Sequence, residues 1–314
     1  MTPSTAALRY LDEEVAMNQL NSAKFSEMRR LRALAGTVLM LCTAAAAQPA
    51  QQSEFVTIDF PGSIDSRAVG INPAGDIVGR YLDTRGHSHG FLLSDGRYHS
   101  IDFPGSVFTG LNGINPQGDV VGRYTDTGGI TRGLLLSRGT FSSLDFPGAV
   151  ATFAGGINTN GQIVGWYTDT AGVTRGFLLS QNAFTTVDVP GAIQTEPSDI
   201  DPAGNISGIY RTSDGVWHGF VLSNGKLSTV DVPGAVSTGS HTGVIGINPE
   251  GELVGYYAAA DGRVHGFLLR KGMFFTVDVP GAALTCAFKI NPRGDVVGIY
   301  TDNRGKNHGL LWRR

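Results

Sequence analysis

Ile101-Asp102-Phe103-Pro104-Gly105 is one copy of a pattern, Asp-(Phe/Val)-Pro-Gly, that stands at Asp59, Asp102, Asp145, Asp188, Asp231 and Asp278. Four successive intervals are 43 residues and the fifth is 47. A fixed period of this length marks a repeat array, in which each copy buries its apolar face only against its neighbours. The fold therefore follows from one unit and from how the array ends.

Working outward from that stretch, residues 66–72 run into Asn72-Pro73-Ala74-Gly75, and residues 76–83 follow. The Asn-Pro-x-Gly order suits a type I turn: Asn bonds back to the backbone, Pro presets φ, and Gly closes the turn. Asp83-Thr84-Arg85-Gly86 is the next break, then residues 87–93, then Asp95-Gly96 and residues 98–103. Each run is short and rich in β-formers, and each break carries Asp or Gly turn chemistry. Four strands per repeat follow, and the same four recur at 113–115, 118–122, 132–136 and 143–146. Four short strands per roughly 40–50 residues is the signature of a propeller blade. The expected fold is all-β: a six-bladed β-propeller of four-stranded blades, stacked face to face on their Ile, Val, Leu and Phe positions. That apolar contact, at about 25 cal/mol per Å2, would be the main stabilising term.

The strand types are out of phase at the two ends. The array opens on Phe55-Val-Thr-Ile-Asp-Phe60, a fourth-strand sequence with no blade before it, and closes on His308-Gly-Leu-Leu-Trp312, a third strand with no fourth after it. The orphans complement one another, so the N-terminal strand is expected to pair into the last blade and remove two exposed sheet edges. An open superhelical array is the alternative.

The bulk numbers agree with one turn-rich β domain: 314 residues with 44 glycines and 14 prolines. A net charge of −3 offers no basic field for nucleic acid or an anionic membrane. Arg29-Arg30-Leu31-Arg32 precedes an apolar run over 33–47 that ends in alanines. A basic stretch, an apolar stretch and an Ala-x-Ala ending match an export signal cleaved after Ala47; an uncleaved anchor is the alternative, and Met28 is a candidate start. Leu41 before Cys42 does not suit lipidation, and removal of Cys42 leaves Cys286 as the one thiol, so no disulfide framework is expected. The expected organisation is a lead-in and signal over 1–47, a linker over 48–54, and one propeller domain over 55–314, secreted or periplasmic and monomeric, with no stable membrane anchor after cleavage.

Gly-Ile-Asn, Val-Gly-x-Tyr, Asp-x-Pro-Gly and the motifs His89-Gly90-Phe91, His218-Gly219-Phe220, His265-Gly266-Phe267 and His308-Gly309-Leu310 together resemble the bacterial extracellular repeats named for a His-Ala-Phe motif, the HAF-type family. Arg132 and Arg175 replace the histidine in two repeats. The resemblance spans residues 55–314 and implies export and repetition; no activity attaches to it.

The repeated histidines invite a metal reading, but equivalent positions in successive blades are too far apart for the roughly 2 Å bonds of a single site. No metal or cofactor is expected. Instead His89, Arg132, Arg175, His218, His265 and His308 are expected to donate to the repeated aspartates, since His and Arg are interchangeable as donors. The turn residues Asp83, Asp126, Asp169, Asp214, Asp261 and Asp302 each offer one carboxylate and read as Asx-turns rather than calcium ligands. Function is sought where the repeats disagree: Asp65, Arg67, Asn112, Phe153, Glu196, Asp199, Asp201, His241, Cys286 and Lys289. If the first strand of each blade lines a channel, Arg67, Glu196, Asp199, His241 and Lys289 gather at its mouth as a candidate site for a polar ligand; the same positions also suit ordinary divergence on a solvated loop. Cys286 reads as an apolar filler. Trp166 and Tyr256 depart from Arg80 and Arg123 and read as surface contacts. No nucleophile elbow, zinc-helix or phosphate-loop motif occurs. The expected function is a binding scaffold for a protein, a polysaccharide or a small molecule, without catalysis. The alternative is an extracytoplasmic hydrolase or lyase working at the channel mouth.

Overall fold

The computed structural model describes residues 54–236 and 242–314, and its compact unit is Phe55–Arg313. The signal segment and His241 lie outside the described residues. Among the described residues every regular element is a β-strand.

In the first repeat the inner strand Asp65–Ile71, a second strand Ile77–Leu82, a third Ser88–Ser94 and an outer strand Arg97–Ile101 pair antiparallel in chain order. The Asn-Pro-x-Gly turn forms for the reason its residues suggest. Asn72 Oδ1 accepts from the backbone N–H groups of Gly75 at 3.0 Å and Asp76 at 2.9 Å, and Gly75 takes the left-handed φ of +98° that glycine adopts without strain. The glycine of Val-Gly-x-Tyr is a packing requirement: a Cβ on Gly79 would run into the Arg67 carbonyl oxygen.

Among the described residues two sheets are four-stranded and two are eight-stranded. Each eight-stranded sheet is a pair of four-stranded meanders joined by one parallel bridge, Ser88 to Phe108 or Val264 to Leu284. The core lies between successive meanders. Phe177 of the third repeat, for example, packs in one cluster with Val121 and Leu144 of the second, and the third-strand residues Phe91, Phe177, Phe220 and Phe267 are all fully buried.

The Asp-x-Pro-Gly turn that leads from one repeat to the next is held by a buried hydroxyl. Ser66, Thr109, Thr152, Thr195, Thr242 and Thr285 accept from the backbone N–H of Phe60, Phe103, Phe146, Val189, Val232 and Val279 at 3.0–3.1 Å. Bonding that N–H matters because an unpaired buried donor costs about 1–3 kcal/mol. The four extra residues of the long interval fall between Val232 and Thr242.

The N-terminal strand Glu54–Ile58 pairs with the C-terminal strand Asn307–Arg313. His308 Nδ1 meets Asp59 Oδ2 at 2.7 Å, and Asn307 Nδ2 donates to Asp65 at 2.8 Å. Ile58 and Leu311 share a cluster with Ala68 and Phe91 of the first repeat, so the last repeat packs on the first.

Candidate functional site

Two regions collect polar groups: the cavity where the inner strands meet, and the rim where the third and outer strands end. The cavity holds about 80 Å3 and is bounded by residues such as Gly70, Gly113, Asp199 and Lys289 with the Ile and Asn-Pro turns that follow them. Gly70, Gly113, Gly156, Asp199, Gly246 and Lys289 are one column of the repeat. Glycine suits it because inner strands approach closely: a Cβ on Gly70 would sit 2.9 Å from the Asn112 carbonyl oxygen.

The two exceptions in this column pair with each other. Lys289 Nζ lies 2.9 Å from Asp199 Oδ1 and donates to the Ser198 carbonyl, while Asp199 Oδ2 accepts from Ile247 N at 3.1 Å. Lys289 therefore reaches past the Gly246 repeat, where a side chain would block it. Burial pulls the Lys289 pKa down, and the Asp199 carboxylate opposes that shift. A water needs about 10–15 Å3, whereas ligand pockets begin near roughly 300 Å3. The cavity thus accommodates a few waters around an ion pair.

Of the other channel-mouth candidates, Arg67 bonds Asp65 through Nε at 3.1 Å, and burial raises the Asp65 carboxyl pKa. Glu196 is buried and accepts from Gln194 Nε2. Asn112 donates to the Ala154 carbonyl at 2.8 Å. Asp201 takes the place of the turn asparagine, accepting from Asn205 N at 2.8 Å. Cys286 is buried, and desolvation pushes its thiol far up. The structure therefore joins Asp199 to Lys289 and seats Arg67 and Glu196 against neighbours on their own strands. Trp166 is not a surface contact, whereas Tyr256 is half-buried and keeps an exposed edge. Trp166 is buried and stacks on Phe153 at 5.4 Å; Tyr256 packs on Leu284, Cys286 and Ile299. In the same column Tyr256 and Arg80 reach the next repeat, whereas Trp166 lies against the inner strand of its own repeat; a flat ring fills the place of an arginine.

At the rim, each repeated aspartate has its partner. The pairs are His89–Asp102 at 2.9 Å, Arg132–Asp145 at 3.2 Å, Arg175–Asp188 at 2.9 Å, His218–Asp231 at 2.9 Å, His265–Asp278 at 2.5 Å and His308–Asp59 at 2.7 Å. Tyr81, Tyr210, Tyr257 and Tyr300 stack on the neighbouring imidazoles at 4.9–5.5 Å. The turn aspartates form Asx-turns: Asp83 Oδ1 accepts from Arg85 N and His87 N at 2.8 and 2.9 Å. Such backbone bonds, His87 N–H first, hold the Asp83 carboxyl below its ordinary range.

An open cleft of about 450 Å3 lies beside the first of these pairs, lined by His87, Ser88, His89, Asp102, Val107 and the Pro104-Gly105 turn. Val107 is 57% exposed, and Ile64, Val150 and Ile193, at the same place after their own Pro-Gly turns, are exposed too. Sequence reasoning missed this cleft. The signal was available as an aliphatic residue five positions after the repeated aspartate.

No family model matches the chain, and no curated protein sequence matches it. Among solved structures, AofleA from Arthrobotrys oligospora is similar with a TM-score of 0.54 at 13% identity, over 83% of this chain and 86% of that one. The Aleuria aurantia lectin, described as a six-bladed β-propeller with a novel fucose recognition mode, gives 0.51 at 11% identity, over 82% of this chain and 94% of the lectin. The Trypanosoma rangeli sialidase gives 0.50 at 10% identity, over 84% of this chain and 58% of the enzyme. At such identities the likeness is one of fold, that of β-propellers.

Proposed function

We propose that this chain is an exported, HAF-type repeat protein that binds carbohydrate, as part of a surface polymer or as a free glycan, without catalysis. Its scaffold in this reading is a six-bladed ring latched by the N-terminal strand. The single observation that carries the binding reading is the cleft beside His89 and Asp102. It is large enough for a small ligand, it offers fixed hydrogen-bonding groups of both kinds, and it has an exposed aliphatic wall at Val107. The named ligand of the similar Aleuria aurantia lectin, fucose, supports the choice of carbohydrate among polar ligands.

The enzymatic alternative is supported by the fold's occurrence in a sialidase, since one fold hosts many functions. Against it stands the small inner cavity, filled by the Lys289–Asp199 pair. A glycan array followed by calorimetry tests the binding reading. Val107→Trp, which fills the cleft from an exposed position, should weaken the best ligand by about tenfold or more, or 1.4 kcal/mol; unchanged affinity moves the site elsewhere. Turnover of a glycan abolished by Glu196→Gln would favour the enzyme. For the latch, deleting residues 55–62 should lower the melting temperature far more than deleting 48–53, and equal values would sink it.

A further inference from the structure

We propose that the outer strand of the fifth repeat, Met273–Val277, is a docking edge on which a second copy of this chain adds its own Met273–Val277 strand, giving a two-fold dimer. The carrying observation is an undefended sheet edge. Among the described residues this strand pairs with Val264–Arg270 on one side and with no strand on the other. Met273 and Phe275 are 58% and 45% exposed, and no residue from Met273 to Val277 carries a charge. An apolar edge of that kind is a template for strand addition, and folded proteins ordinarily guard such edges with charged side chains.

The other repeats act as internal comparisons. At the place of Met273 the first, fourth and sixth repeats hold Arg97, Lys226 and Glu54; at the place of Phe275 the second and third hold Ser142 and Thr185. Only the fifth is large and apolar at both. Strand alternation puts Met273 and Phe275 on the face of Val277, which is buried in one cluster with Val296 of the sixth repeat. Phe55 and Trp312 pack against that cluster. The apolar strip therefore runs from the edge into the core.

The backbone sets the register of docking. Lys271-Gly272 is a two-residue hairpin loop with both φ values left-handed, +49° and +75°, so Arg270 and Met273 are a hydrogen-bonded pair. Alternation then turns the N–H and C=O groups of Met273, Phe275 and Val277 toward Val264–Arg270, and those of Phe274 and Thr276 outward. An antiparallel second copy meets the outward groups when Phe274 of each lies opposite Thr276 of the other. Phe275 then sits at the two-fold axis against its own counterpart, in the closer kind of antiparallel pair, with Met273 across from Val277 of the other copy. The same register brings the exposed Lys271 of each copy near Asp278 of the other, so the strand ends attract. Each copy has one such edge, so like pairing with like closes at two. A stable interface takes about 20–30 residues a side and this strand has five, so the dimer dissociates on dilution. It departs from the monomer expected from the sequence.

The test is sedimentation equilibrium of the purified protein over micromolar to near-millimolar concentrations, with no glycan present, so that its outcome is independent of carbohydrate binding. Wild type should pass from monomer to dimer within that range. Phe275→Lys should weaken the dimer by about tenfold or more, whereas Ser142→Lys, on the matching edge of the second repeat, should leave it unchanged. Cysteines read the register: in mild oxidant Phe275→Cys should give more disulfide-linked dimer than wild type, while Thr276→Cys, whose two copies the register holds beyond about 7 Å, should not. Unaltered melting of Phe275→Lys at a dilution where wild type is monomeric shows that the variant is folded; Phe275→Ser, which installs the residue of the second and fourth repeats, serves in its place if it is not. A monomer throughout, assemblies larger than a dimer, undiminished affinity in the Phe275 variant, or linkage through Thr276→Cys in place of Phe275→Cys would each overturn the proposal.

Discussion

Lys289–Asp199 and Arg175–Asp188 are ion pairs of the same length, 2.9 Å, in opposite settings. The side chains of the first are 7% and 14% exposed, and those of the second 42% and 32%. The first occurs once, across the inner cavity, while the second kind recurs in every repeat. Length therefore says little about what each contributes. At the inner cavity both charges have largely left bulk solvent, so the attraction is set against desolvation, and a lone survivor would be an uncompensated buried charge. At the rim, solvent and salt screen the attraction. What the rim pairs supply is geometry: each ties a third strand to the residue that begins the next turn.

The comparison is sharpened first at Lys289. Lys289→Met should cost about 3–5 kcal/mol in urea denaturation, because Asp199 is left buried without its partner. Asp199→Gly with Lys289→Gly, which restores the glycine of the column, should recover most of that loss. A single-variant cost below about 1 kcal/mol would place the inner pair with the rim pairs. Between the two settings lie the buried hydroxyls. Thr195→Val removes the acceptor of the Val189 N–H and should cost about 1–3 kcal/mol. At the rim, Arg175→Ala should cost no more than about 1 kcal/mol, and less in high salt; a larger, salt-independent loss would break the distinction. The smallest effect is expected in acid. Backbone bonds from Val173 and Lys306 hold Asp169 and Asp302 below the ordinary value of 3.8. They contribute stability that is present above that value and lost as pH falls through the folded pKa. Asp169→Asn with Asp302→Asn should flatten this acid limb in a plot of urea midpoint against pH.

The repeat unit was legible because its turns are local. Asn72, Pro73 and Gly75 act within one turn, and the spacing of such turns counts the strands. The rim pairs were legible because a donor and an acceptor recur together in every copy. The inner pair was harder: Asp199 and Lys289 stand out as polar departures, but only the close approach at Gly246 shows that one reaches the other. Trp166 misled because it replaces residues of an apparently exposed type. Arg80 and Arg123 lie over the Phe108 ring at 5.8 and 5.1 Å, so their column is a stacking position that a tryptophan also fills. The buried hydroxyls are one polar atom each, and their spacing from the Pro-Gly turn is broken once by the long interval.

The pairing of Glu54–Ile58 with Asn307–Arg313 also sets a timetable. On the ribosome the first of these strands emerges long before its partner; at about 5–20 residues per second the wait is roughly 12–50 s. The intervening meanders are hairpins that form as they appear, whereas this joint must await the last residues and carries the largest loop-closure cost. A chain terminated just before Asn307 would lack only the final strand and would keep every earlier meander. It would nevertheless present two raw sheet edges, so its expected fate is aggregation rather than a small loss of stability.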